Sequence, residues 1–457
     1  MNPKQTGTPP PSEPGSQQSM PEEAKAGMNK KISGQFAFAK TNVQSLITRS
    51  ITRVRSLRRT DYETATIILL GLVSAVLIRY SFLDFKTLDY HASLKPWYDT
   101  IKSMGFSAFG TDFSTYNPPY LYLLYLIARF LPNVPTVIAV KTPSLIADFI
   151  MAYFVYRIVQ IKYPNGRLSL AAGMATLFAP TVILNSAFWG QADSLFTAGL
   201  VACLFFLLTQ KHGWAMVAFG IALAFKLQAI FLAPLLLALL MRGTIHWKYF
   251  LIIPAILILA LVPSWIAGRP IRNLIDIYLY QTSQFESLTM NAPSLYAWLP
   301  DTKKVFNLFY IPGVITGAVS AYLFFLVVYK SPRKIIQASL TELTLLAMLI
   351  IPFFLPKMHE RYFYPADVIS IILAFYFPKF FYMPVLVGGV SFFAYQPYLF
   401  NIQQIPLPIL TGTLLVVICI LGWHAVTYLY STSVENNADI HTELPIEPET
   451  PAAAGNA

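Results

Sequence analysis

Apolar runs long enough to cross a lipid bilayer recur from Thr64 to Tyr430. Nothing else in the chain constrains its fold as strongly. In hydrocarbon every backbone N–H and C=O must be satisfied within the protein, so a spanning segment is a helix or a strand of a closed barrel. These runs are continuous rather than alternating, which selects helices. Of the 457 residues 55% are hydrophobic and only 12% charged, about half the charged share of a typical soluble domain. The sequence therefore predicts an all-α, polytopic membrane protein of about twelve transmembrane helices. They are expected near 62–82, 137–160, 168–186, 192–210, 213–226, 227–241, 249–266, 305–329, 339–355, 363–378, 382–399 and 408–430.

Loop charge sets the expected orientation. Residues 1–60 are polar, rich in Pro, Ser and Gln, and show no cleavable signal peptide. They end in a basic run with Arg49, Arg53, Arg55, Arg58 and Arg59, read as a solvated cytoplasmic segment that can also rest on anionic lipid. Residues 431–457 form an acidic tail rich in Pro and Ala, also expected to be disordered. With the N-terminus inside and an even number of crossings, both tails are cytoplasmic. The basic loops RIVQIKYPNGR, QKHGW, MRGTIHWKY and YKSPRK then share that side. The net charge of +11 sits in tails and loops, so membrane lipid and not nucleic acid is the expected partner. Cys203 and Cys419 lie inside apolar runs without CxxC spacing, which argues against a disulfide framework or a cysteine metal site.

Two stretches break the serpentine. Between the first two spans lies a long outer segment, roughly 83–136. It contains YNPPYLYLLYLIARFLPNVP, apolar but short and bounded by prolines, and is read as interfacial rather than spanning. The stretch GWAMVAFGIALAFKLQAIFLAPLLLALLMRG is too long for one span and short for two. It is read as two short helices turning at residues 226–228, against the alternative of one long tilted helix.

On this topology polar residues gather at the outer face, where ionisable groups are candidates for function. Asp84, Asp89, His91 and Lys95 follow the first span. GTDFSTYNPPY adds Asp112, Tyr116 and Asn117; Lys226 and Gln228 mark the turn. Arg269, Arg272 and Glu286 fall in a later loop, and LPKMHERYFYPAD carries Lys357, His359, Glu360, Arg361 and Tyr362. Asp89 and Ser93 share a helical face with Trp97 one turn on, if residues 90–101 form an amphipathic interfacial helix. Asp89 then reads either as that helix's N-cap or as a general base at the membrane surface. The KMHERY cluster reads as a snorkelling anchor or as a phosphate site, for which Arg and Lys are suited; HExxH zinc spacing is absent. In FWGQADS, Gly190 suits a tight turn, Asp193 or Ser194 a helix cap, and Trp189 the interface. NPPY reads first as a rigid turn.

Taken in order, Asp-Tyr…Pro-Trp-Tyr, Tyr-Asn-Pro-Pro, Trp-Gly-Gln-x-Asp-Ser, Phe-Lys-x-Gln and Met-His-Glu-Arg-Tyr resemble bacterial GT-C glycosyltransferases. Within them the likeness is to mannosyltransferase-like proteins akin to the second mannosyltransferase of GPI-anchor assembly. It covers roughly residues 60–430, leaving the tails outside. The resemblance implies a GT-C catalytic domain over 61–430 with interfacial helices in the first outer loop. It implies inverting, metal-independent transfer of a hexose, with mannose the first choice, from a polyprenyl-phosphate-sugar donor. The acceptor would be a hydroxyl of a glycan, lipid or protein on the outer face of a bacterial cytoplasmic membrane, with no cofactor. Asp89, then Asp84, match the essential carboxylate; His359, Arg361, Lys226 and Lys357 match the donor-phosphate site. Substrate contacts are expected from Tyr90, Trp97, Tyr116, Asn117, Trp189, Gln191, Asp193, Gln228 and Glu360. Relatives commonly carry Asp-x-Asp or Asp-Glu in the first loop, whereas here Tyr90 and His91 follow Asp89, which leaves the base open. From a different class, the alternative is a multi-pass transporter or lipid flippase, although no repeat relates the two halves.

Overall fold

The computed structural model describes residues 59–164, 166–280 and 286–431. Most of the two predicted tails, and the segment 281–285, lie outside these. The chain divides within its first helix into Met1–Leu70 and Gly71–Ala457, and every later helix belongs to the second unit.

The described chain is almost wholly helical. Its first helix is α1 (Arg59–Tyr80), and the first long loop then carries α2 (Lys95–Met104) and α3 (Pro118–Phe130). Next come α4 (Thr136–Lys162), α5 (Arg167–Phe178) and α6 (Pro180–Trp189). They are followed by α7 (Asp193–Leu208), α8 (His212–Phe225), α9 (Ala233–Met241), α10 (Ile252–Ile266) and α11 (Ile271–Tyr280). The last five are α12 (Lys303–Lys330), α13 (Gln337–Phe354), α14 (Tyr364–Tyr376), α15 (Met383–Phe400) and α16 (Leu407–Tyr430). A helix lies in each of the twelve expected stretches. Among the described residues six are individually long and apolar enough to cross a membrane, seven if the bent pair α5 and α6 counts as one. Their exposed faces are strongly apolar. In Trp247–Ile266 only 6% of the span is buried by the protein, an arrangement that lipid stabilises and water does not. The protein is a multi-pass integral membrane protein.

The core lies between α4, α7, α8, α13, α14 and α16. In α13, 83% of the span is buried, and the one ionisable group it carries, Glu342, is bonded to His424 at 2.7 Å. A second, aromatic core under the first loop joins Trp97, Tyr98, Phe109 and Tyr120 to Val140 of α4. It holds α2 and α3 in place, so the short run 118–130 is a loop helix, as its length predicts.

Three breaks position the site. Pro180 cannot continue α5, and α6 leaves it at 47°. The end of α6 is a π turn, Leu184–Trp189, closed by Gly190 at φ +81°. A Cβ there would lie 3.3 Å from Lys141 Cγ, so only glycine suits both the backbone and the space. The third break is Lys226, extended at φ −148° and ψ 135°, which ends α8. One continuous helix through this stretch is therefore excluded. The pieces pack on different neighbours, α8 on α7 and α10, α9 on α12, rather than side by side as a hairpin would. A two-residue parallel pairing, β1 (Thr289–Met290) with β2 (Met358–His359), brings Asn291 beside the KMHERY segment.

Candidate active site

Asp89 does not cap a helix. It has helical dihedrals, makes no side-chain cap bond, and a π turn (Tyr90–Leu94) separates it from α2. Its carboxylate instead reaches across the fold. Oδ2 accepts hydrogen bonds from Trp189 Nε1 at 2.8 Å and Gln191 Nε2 at 2.5 Å. Oδ1 accepts one from the Tyr398 hydroxyl at 2.6 Å. Gln191 is itself oriented, since its Oε1 accepts from the Tyr116 hydroxyl at 2.8 Å. Three donors from separate elements fix the carboxylate in one orientation at the wall of a cavity of about 480 Å³. Asp89, Ser93 and Trp97 all line it, as their spacing predicts, with Tyr116, Asn117, Gln191, Lys226, Gln228, His359, Glu360 and Arg361.

Positive charge faces the same space. Lys226 Nζ stands 2.5 Å from Asp193 Oδ1, and Arg361 Nε 3.8 Å from Asp193 Oδ2. Asn185 Nδ2 donates to Asp193 Oδ2 at 2.9 Å. Asp193 is fully buried and does not line the cavity, so it is neither a helix cap nor a substrate contact; it holds two cations at the wall. Ser194, the other expected cap, bonds Asp148 and Tyr364. The Arg361 guanidinium lies over the Trp189 ring at 5.3 Å, and Lys226 over Tyr116 at 5.6 Å.

In the KMHERY segment Glu360 is buried and the other five residues are half-buried, with His359, Glu360 and Arg361 facing the cavity and not the membrane surface a snorkelling anchor would meet. Glu360 is 2% exposed and contacts Arg361 Nη1 at 3.3 Å. Burial, opposed by Arg361, pushes its carboxyl up to about 7. Burial, with Arg361 and Lys226 nearby, pushes the His359 imidazole down to about 2, so the ring is neutral at physiological pH. Its Nδ1, 3.9 Å from Glu360 Oε2, makes a polar contact and not an ion pair. His359 thus offers a neutral hydrogen bond, not the positive charge expected of it. Among the described residues no three His, Cys, Asp or Glu side chains are grouped to hold a metal ion.

Besides Asp193, four expected site residues stand outside this cavity's lining. Asp84 is exposed on the loop after α1 and outside the cavity. Tyr90 is buried against His91. Trp189 is fully buried, stacked on Tyr398 with ring centroids 5.0 Å apart, and serves as a donor to Asp89 rather than as a sugar platform or interface anchor. Lys357 lines a neighbouring apolar cavity of about 350 Å³, its ammonium over the Tyr310 ring at 4.6 Å. That cavity shares Gln228, Met290, His359 and Tyr362 with the polar one. Sequence reasoning missed Tyr398, a tyrosine at the end of an apolar run with nothing to set it apart from a membrane-interface aromatic.

No protein-family model matches the chain, and no curated protein does. Among solved structures it is similar to the crystal structure of ArnT from Cupriavidus metallidurans bound to undecaprenyl phosphate. The TM-score is 0.49 and the identity 14%, over 80% of this chain and 70% of that one.

Proposed function

We propose that the chain is a GT-C-type glycosyltransferase that moves a hexose, mannose in the first instance, from a polyprenyl-phosphate-sugar donor to an acceptor hydroxyl. One observation carries the reading. An oriented carboxylate, Asp89, and two cations, Lys226 and Arg361, line one cavity, and an apolar cavity suited to a lipid chain adjoins it. The order of motifs along the chain supports the same class, and the loop charges support an outer-face site with cytoplasmic termini.

In this mechanism the acceptor hydroxyl lies against Asp89. Asp89 takes its proton as the oxygen attacks the anomeric carbon. The bond from that carbon to the phosphate oxygen breaks, and its electron pair leaves with the lipid phosphate. Arg361 and Lys226 stabilise the charge gathered there, and neutral His359 donates one hydrogen bond. A single displacement inverts the anomeric centre. Trp97 and Tyr116, packed at 4.9 Å, present aromatic faces for the sugar.

The test incubates purified protein with labelled polyprenyl-phosphate hexoses and a membrane-lipid extract. Covalent transfer to a lipid, glycan or protein product is expected. Release or exchange of intact donor across vesicles without transfer would instead establish a transporter or flippase.

Glu360 gives this reaction a pH dependence. Below about pH 7 it is protonated, and the cavity is more positive. Above that it ionises and offsets Arg361. The apparent donor KM should therefore rise several-fold, on the order of 3 to 10, between pH 6 and pH 8. Glu360→Gln should flatten that rise. Because the folded state holds this proton more tightly than the unfolded chain, stability should also fall as pH rises from 4.5 towards about 7. An unchanged profile in the variant would remove Glu360 from the site's charge balance.

A further inference from the structure

Helix α4 carries a polar stripe that the mechanism above does not use. Lys141, Ser144 and Asp148 follow at i, i+3 and i+7, so they share one face, and each is 1% exposed or less. Ionisable groups inside a span are costly and call for a reason. The Lys141 ammonium donates to the carbonyls of Phe82 and Leu83, both at 3.0 Å, and of Phe85 at 2.8 Å. All three of its protons are thereby used on the short loop that leads from α1 to Asp89. Its stem also packs where Gly190 turns. One turn on, Ser144 Oγ donates to the backbone carbonyl of Gln191 at 2.6 Å. Gln191 is the residue whose amide holds Asp89 Oδ2. Asp148 accepts from Arg79 at 2.9 Å, at the end of α1, and from Ser186 at 2.6 Å, in the π turn that presents Trp189.

We propose that Lys141 is the positioning residue for Asp89, with Ser144 its complement on the same helix face. Lys141 fixes the chain that brings the carboxylate into the cavity, and Ser144 fixes a donor that orients it. One rigid helix thus sets the distance between the base and its hydrogen-bond partner, without either side chain touching substrate. The inference rests on the glycosyltransferase reading for its effect on rate, but the tether itself is a matter of geometry.

The test compares full-length wild type with Lys141→Met, which keeps the stem and removes the donors, and with Ser144→Ala. Steady-state transfer and hydrogen–deuterium exchange are measured in detergent. A displacement of the base of about 1 Å is worth on the order of a hundredfold. Lys141→Met is therefore expected to lose kcat by about that factor with donor KM within about twofold of wild type. Amide exchange should quicken over residues 82–94 and 189–192 and stay unchanged in α13 and α14. Ser144→Ala should lose several-fold in kcat with the same exchange signature confined to 189–192, and it remains informative if Lys141→Met does not fold. Wild-type kcat in Lys141→Met, or unaltered exchange over 82–94, overturns the proposal. Should wild type itself transfer no sugar, the function reading falls, while the exchange data still decide the tether.

Discussion

Asp89→Asn is expected to lower sugar transfer by about a thousandfold, the loss typical of a missing general base, with the protein still folded. The variant is unusually clean because of the donors around it. Trp189 Nε1 and Gln191 Nε2 both point at Oδ2 and can only donate. The remaining partner, the Tyr398 hydroxyl at Oδ1, can donate or accept. An asparagine can therefore place its oxygen towards Trp189 and Gln191 and its NH₂ towards Tyr398, whose hydroxyl rotates to accept. The two buried N–H donors stay satisfied, the Tyr398 proton turns to the cavity that it lines, and basicity is what is lost. Asp89→Ala is a poorer probe, since it leaves two buried N–H groups and a hydroxyl unmet at about 1–3 kcal/mol each. Transfer of labelled hexose and the thermal midpoint, measured together, separate the two effects. If the asparagine variant keeps more than about a tenth of wild-type activity, well outside the range for a general base, Glu360 takes its place. It is the other carboxylate at the cavity wall.

The choice between Asp84 and Asp89 shows what a sequence does and does not carry. Both follow the first span, five residues apart, and composition ranks neither. In the structure Asp89 lines the cavity and Asp84 stands outside it, and the loop leading to both is bonded to Lys141, 56 positions away from Phe85. The helices were legible because lipid leaves apolar runs no other regular structure of this kind. Lys226 was legible as a break because the run around it is too long for one span and short for two. Arg361, Gln191 and Tyr116, singled out by their motifs, line one cavity. Trp189 and Asp193 are buried behind the cavity wall, where they contact Asp89 and Lys226, a placement the sequence does not carry because it cannot tell a ring at an interface from one packed beneath a carboxylate. Lys141 and Asp148 carried a signal that outer-loop charges overshadowed: two ionisable residues on one face of a single span.

The buried triad of Asp193, Lys226 and Arg361 gives the second large effect, and it separates stability from catalysis. Lys226→Met removes the cation 2.5 Å from a carboxylate that is fully buried. Asp193 would keep Asn185 at 2.9 Å and Arg361 only at 3.8 Å. Breaking a buried pair at one end costs about 3–5 kcal/mol, so the thermal midpoint should fall sharply. Asp193→Asn alone should also destabilise, because it removes the carboxylate that offsets the repulsion between Lys226 and Arg361. The double variant, Lys226→Met with Asp193→Asn, removes both charges together. Replacing a whole buried pair by uncharged groups is often close to neutral, so its midpoint should return most of the way to wild type. Transfer should not return with it. If Lys226 stabilises the departing lipid phosphate, the double variant stays slower by on the order of 10² to 10³, the usual cost of a lost charge-stabilising donor. Recovery of both stability and rate would mean that Lys226 only neutralises Asp193, leaving Arg361 to meet the phosphate alone. Recovery of neither would mean that the two residues are not coupled, and that the short contact between them is not what holds the wall of the cavity.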